Sequence, residues 1–124
     1  MIIHEITPDH LSIQDLKRII TEKYHIRLSQ EAMRRITLCR DYLDKKMADQ
    51  TDPIYGITTG FGSLCNINIG MADLSQLQKN LVMSHACGTG DEVCSEIVKL
   101  ILFLKIQALS YGYSGVQLIT VQRL

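Results

Sequence analysis

The sequence predicts a mainly α-helical chain: about five helices, one long glycine-rich loop, and a short N-terminal strand or extended arm. Three observations carry this. Apolar residues recur at helical spacing, as in Leu11, Ile13, Leu16, Ile19 and Ile20. Serine or aspartate followed three residues later by Asp or Gln marks helix starts at Ser12/Asp15, Asp73/Gln76 and Ser114/Gln117. From Tyr55 to Gly70 there is no helical period, and Gly56, Gly60 and Gly62 fall within seven residues.

Taken in order, residues 1–7 alternate loosely and suit a strand or extended arm. Ser12 opens the first helix, with Asp15 as a capping-box analogue, and Tyr24 to Arg27 reads as a connector. Ser29 caps a second helix to about Met47, with Met33, Ile36, Leu38, Tyr42 and Leu43 as candidate core contacts. Pro53 breaks the chain after it. Asp73 caps a third helix to about Ala86, stopped by Gly88 and Gly90. A fourth starts near Asp91 or Glu92 and ends around Tyr111. A fifth begins at Ser114, with the last residue, Leu124, about three turns further on. In the fourth, only Lys99, Lys105 and Gln107 are polar between Ile97 and Leu109. A helix apolar nearly all round requires partners on most sides, and four modest helices can hardly supply them. The expectation is self-association through this helix or partner helices in further sequence, the second being favoured.

At 124 residues a single domain is the natural expectation, marginal to moderate in stability alone. Thirteen basic and 13 acidic residues give a formal charge of zero, so nothing recruits nucleic acid. Arg34-Arg35 and Lys45-Lys46 read as solvated helix faces. Leu100–Leu104 is far too short an apolar run to span a bilayer, and His4 and Glu5 interrupt any leader-like start. The four cysteines lack Cys-x-x-Cys spacing and read as free thiols of a reducing cytosol, hence a cytoplasmic protein. Cys87 and Cys94 are expected to be small buried thiols, His4, His10 and His25 surface residues, and no metal site is expected.

The chemistry concentrates in Tyr55-Gly56-Ile57-Thr58-Thr59-Gly60-Phe61-Gly62 and, one helix later, in Asn80-Leu81-Val82-Met83-Ser84-His85-Ala86-Cys87-Gly88-Thr89-Gly90. Tyr55 and His85 can each donate, accept or exchange a proton. On residue chemistry alone, a Tyr55 packed beneath its own loop and a His85 interacting with the helix dipole are the favoured readings over roles in a site. The glycines lack the spacing of a dinucleotide fingerprint and no Gly-Lys-Ser/Thr follows, which excludes the usual phosphate loops.

These two segments resemble the aromatic amino acid lyase family, in particular its histidine ammonia-lyase branch. The first matches the family's Tyr-Gly-(Ile/Val)-(Asn/Thr)-Thr-Gly-Phe-Gly loop. Asp73, Leu74, Leu77, Gln78, Asn80, Leu81, Ser84, His85, Ala86, Gly88, Thr89 and Gly90 match the histidine-branch pattern after it, and Gly112-Tyr113-Ser114-Gly115-Val116 matches a third element. The resemblance is good from Tyr55 to Leu124 and weak before it. It implies that residues 1–124 are one N-terminal segment of a larger helical lyase domain: N-terminal helices over 1–54, an active-site loop over 55–70 and core helices over 71–124.

The resemblance further implies that the complete enzyme converts L-histidine to trans-urocanate and ammonia. Tyr55 would be its acid/base residue, His85 its contact to the substrate imidazole, and Gly56, Thr59, Gly60, Phe61 and Gly62 its active-site loop. A phenol titrates ordinarily near pH 10, so such a role needs a lowered pKa or a coupled proton path. The family's electrophile, methylidene-imidazolone (MIO), forms from an internal Ala-Ser-Gly triad. The sequence has none: its one Ser-Gly, Ser114-Gly115, follows Tyr113, and Ser114 reads as a helix cap. The 124 residues by themselves are therefore expected to be inactive. Family members are homotetramers, and no metal is implied. Two other readings stand beside this one: a tyrosine ammonia-lyase or aminomutase segment, or a non-catalytic helical module pairing through Ile97–Leu109.

Overall fold

A computed structural model describes residues 2–49 and 52–124. The element order is β1 (Ile3–Ile6), α1 (Ile13–Thr21), β2 (His25–Leu28), α2 (Gln30–Asp49), α3 (Leu74–His85), α4 (Ser95–Ser110) and α5 (Leu118–Arg123), with 3-10 turns at Gly62–Leu64 and Met71–Asp73. This is the mainly helical architecture the sequence predicts. The chain divides into two compact units. One comprises the chain up to Ala48 together with Val93–Leu124; the other is Asp49–Glu92.

In the first unit, β1 and β2 pair in parallel, Ile3 opposite His25 through Ile6 opposite Leu28. Parallel neighbours need a crossover, which α1 supplies. The expected connector over Tyr24–Arg27 is thus in large part a strand, bounded by backbone bonds from His25 N–H to Ile2 O and Ser29 N–H to Ile6 O, both 3.0 Å. Two helix starts match their sequence signatures. Ser12 Oγ accepts from Asp15 N–H at 3.1 Å and donates to the Asp15 carboxylate, and Ser29 Oγ accepts from Ala32 N–H at 3.1 Å.

The core of this unit gathers Ile6, Ile19, Ile36, Phe103, Ile106, Leu109 and Val121. In α2 only Ala32 and Ile36 are buried; Met33 and Leu43 are half-buried, whereas Leu38 and Tyr42 face outward, contrary to expectation. Arg34 and Arg35 pair with Glu31 on the solvated side, and this holds the Glu31 carboxyl at a pKa of about 2. Buried Gln107 explains its place in an apolar helix: its Nε2 donates to Thr7 O and Asp9 O at 2.9 and 3.2 Å, tying the segment after β1 to α4. The opposite side of α4 leaves Ile97, Val98, Ile101 and Leu104 41–58% exposed, so the apolar excess read from the sequence remains uncovered among the described residues.

Several boundaries differ from expectation. α4 begins at Ser95 rather than near Asp91. Asp73 makes no side-chain cap, because it closes the 3-10 turn that leads into α3. Ser114 does not cap α5 either. Its successor Gly115, at φ +66°, carries the turn, and α5 starts only after Gln117. His4 is half-buried against Phe103, with ring centroids 6.0 Å apart, and burial lowers its pKa; it is not the surface residue expected. The four cysteines are free, but Cys87 and Cys94 are exposed where buried thiols were expected. No described helix is long and apolar enough to cross a membrane.

Candidate functional site

The unit Asp49–Glu92 carries the two segments in which the sequence concentrates its chemistry. The first belongs to a loop whose order comes from hydroxyl groups rather than from apolar burial. Thr58 Oγ1 accepts from Ile54 N–H at 2.8 Å. Thr59 is fully buried; its Oγ1 accepts from Gly56 N–H at 3.3 Å and donates to Gly60 O at 3.0 Å. A bridge between Thr59 and Asn68, with Ile69 N–H donating to Thr58 O at 2.8 Å, closes the loop on itself. These bonds take the place of a strand ladder and satisfy the loop's inner polar groups.

The glycines do two different things here. Gly56 sits at φ +69°, and a Cβ on it would lie 2.6 Å from Phe61 Cε1, so the ring packs directly on its backbone. Gly62, at φ +57°, has open space around it and is needed for its conformation alone. At Gly60 a Cβ would meet Leu64 Cβ at 2.7 Å, a close approach of the backbone to the end of the 3-10 turn.

Phe61 is the hub of the site. Its ring lies 5.5 Å from that of Tyr55, tilted by 46°, and 5.3 Å from that of His85 in an edge-on arrangement at 85°. The phenol and the imidazole, thirty residues apart in sequence, are thereby gathered about one aromatic ring. Tyr55 is 61% exposed and does not lie beneath its loop; its hydroxyl accepts from Gly62 N–H at 3.4 Å. Its own O–H proton remains available to a ligand.

His85 is the last residue of α3. Its Nδ1 lies 2.8 Å from Leu81 O and 3.1 Å from Ser84 Oγ, and Ser84 Oγ donates to the same carbonyl at 2.9 Å. The helix-end role and the presentation of a reactive face are therefore not exclusive. Nδ1 faces the Leu81 carbonyl in the last turn of α3, while Nε2 has no protein partner among the described residues.

Gln78, which the sequence offers as part of a matching pattern and not as a site residue, proves to be the clasp. Its Nε2 donates to Gly56 O and Ile57 O, both at 3.1 Å, and so fastens α3 to the Tyr55 loop. The only sequence signal for this was its fixed place between Leu77 and Asn80. Among the described residues, no three of His, Cys, Asp and Glu are grouped so as to hold a metal ion.

The arrangement offers an exposed hydroxyl and an exposed imidazole beside an aromatic surface, which suits a small amphipathic ligand with its own ring. Comparison with known proteins agrees in kind. The family model described as aromatic amino acid lyase matches residues 11–124. The chain is 45% identical to a histidine ammonia-lyase of Legionella pneumophila over 90% of its length, and 40% identical to one of Caldanaerobacter subterraneus over 94%. The crystal structure of histidine ammonia-lyase from Trypanosoma cruzi superposes with a TM-score of 0.80 and 35% identity, covering 99% of this chain and 23% of that one. The chain spans 22–23% of the length of the two curated relatives. On this evidence of sequence and fold, the chain belongs to the aromatic amino acid lyase family.

Proposed function

We propose that these residues form the N-terminal segment of a histidine ammonia-lyase, an enzyme that eliminates ammonia from L-histidine to give trans-urocanate. The observation that carries the reading is the cluster of Tyr55 and His85 about Phe61, with Gln78 clasping the loop to α3. In this role Tyr55 exchanges a proton at the substrate's α-amino group or β-carbon. The Gly62 N–H, by occupying a lone pair of the phenol oxygen, orients the hydroxyl and leaves its proton outward. His85 hydrogen-bonds the imidazole of the substrate, a contact no apolar residue makes. Phe61 and the backbone of Gly56 and Gly60 keep the two polar groups at a fixed separation.

The family's electrophile, when present, turns the amino group into a competent leaving group. The 124 residues contain no Ala-Ser-Gly, so this group is not formed from them and no step performed by this chain runs through it. The fuller reading is a cytoplasmic homotetramer in which residues 1–124 are part of one larger helical lyase domain, and the segment alone is catalytically incompetent.

Co-expression of this chain with the remaining segment of the Legionella relative tests the reading. The chain alone yields no urocanate from L-histidine, and the assembled protein does. Tyr55→Phe lowers turnover of the assembly about 100-fold or more, the scale of a lost general acid–base group. Urocanate from the purified chain alone overturns the proposed incompetence. An assembly that ignores L-histidine, or that works equally well with Tyr55→Phe, overturns the assignment of function or of Tyr55.

A further inference from the structure

The geometry around His85 points to a fixed tautomer. We infer that the Leu81 carbonyl holds the neutral His85 ring with its proton on Nδ1, so that Nε2 is an acceptor and the ring that docks there must bring a hydrogen-bond donor. A carbonyl oxygen has no proton to give, and at 2.8 Å an unprotonated Nδ1 would set one lone pair against another. The Ser84 hydroxyl cannot supply the missing proton to Nδ1, because it spends its own on the same Leu81 carbonyl at 2.9 Å. Its oxygen, 3.1 Å from Nδ1, instead shares the Nδ1–H as a second acceptor. Leu81 O, which also accepts the His85 backbone N–H inside α3, is the shared acceptor of both protons.

This reverses the ordinary preference, since a free histidine side chain in water favours the proton on Nε2. Phe61, edge-on to the imidazole at 5.3 Å, restricts the ring further, and Nε2 is left without a protein partner among the described residues. The chemical class selected is an α-amino acid whose side-chain ring carries an N–H or O–H donor. A phenyl ring offers nothing, and a pyridine ring offers only a second acceptor. The ligand part of this inference rests on the reading of His85 as a substrate contact; the tautomer does not.

Long-range proton–nitrogen NMR of the 124-residue chain, at a pH where His85 is neutral, reads the tautomer directly. Nδ1 is expected in the protonated, pyrrole-type range and Nε2 in the pyridine-type range, with the ratio shifted at least about fivefold from that of a free side chain, the weight of one ordinary hydrogen bond. A predominant Nε2–H form overturns the inference. Ser84→Ala keeps the Nδ1–H form, because the carbonyl alone demands it; a switch in that variant assigns control to the hydroxyl and overturns the role given to Leu81.

In the assembled enzyme, L-3-(3-pyridyl)alanine, with its ring unprotonated, is expected to bind about tenfold or more weaker than L-histidine and no better than L-phenylalanine. Pyridylalanine binding as tightly as histidine overturns the donor requirement. An assembly inert toward L-histidine sinks the functional reading and leaves the NMR test of the tautomer intact.

Discussion

Replacing Gly56 by alanine separates the two jobs that glycine performs in the Tyr55 loop. Gly56 and Gly62 lie in the same compact unit and share a left-handed conformation, at φ +69° and +57°. Alanine at either position costs about 1–2 kcal/mol for adopting that conformation. At Gly62 the cost stops there, because nothing lies within 4 Å of the new Cβ. At Gly56 the Cβ falls 2.6 Å from Phe61 Cε1, inside the usual carbon–carbon contact of about 3.5–4.0 Å. The Phe61 ring must swing away, and at 40% exposure it has room to do so. In leaving it gives up its pairings with Tyr55 and His85, each worth about 0.5–1.5 kcal/mol. Gly56→Ala should therefore destabilise the unit by about 2–5 kcal/mol and Gly62→Ala by about 1–2 kcal/mol.

Hydrogen exchange at the Ile69 amide, which donates to Thr58 O at 2.8 Å, reports the local free energy. The ring-proton shifts of His85 report the position of the Phe61 ring. Only Gly56→Ala should move the His85 shifts. If both variants lose the same protection, or if the His85 shifts survive Gly56→Ala, Phe61 is not the hub that joins the tyrosine and the histidine.

Two further outcomes are expected in the other unit. Ile36→Ala, which empties a side chain 1% exposed among Ile6, Phe103 and Ile106, should cost about 2–5 kcal/mol by denaturant unfolding; a change of a few tenths would place the core elsewhere. Glu31 titrates at about 2 rather than 4.5, principally because Arg34 and then Arg35 hydrogen-bond its carboxylate. The folded chain thus binds this proton less readily than the unfolded one, so the stabilisation is complete above pH 4.5 and is lost as pH falls toward 2. An acid titration of α2 helicity should be flatter over that interval in Glu31→Gln; an unchanged slope would mean that the pairing with Arg34 and Arg35 has no bearing on stability.

The helix caps show where local reading works and where it stops. Ser12 and Ser29 cap as their spacing predicts, because each first turn leaves backbone donors that only a nearby side chain can meet. Asp73 and Ser114 carry equally good signatures and cap nothing, since a preceding 3-10 turn and a left-handed glycine already deliver the chain to its helix. His25–Leu28 has too short and too polar a pattern to announce a strand; it is one because Ile3–Ile6 pairs beside it. Burial follows the same division. The apolar stripe of α1 marks the helix, but of its residues Ile19 is buried while Ile13 and Ile20 are exposed; in α2 too, which residues turn inward depended on where β1 and α4 lie, and so Ile36 is buried while Leu38 and Tyr42 are not.

By itself the sequence determined a mainly helical chain with a glycine-rich loop, because helix periodicity and glycine conformations are properties of residues and their near neighbours; the resemblance of its motifs to the aromatic amino acid lyases singled out Tyr55 and His85. Only the tertiary structure decided that Phe61 joins the two, that Gln78 clasps the loop, and that His85 turns Nδ1 to Leu81 and Nε2 outward. Those are relations of distance and direction between groups up to thirty residues apart. Chain periodicity is blind to them, since they are set by how the loop packs against α3.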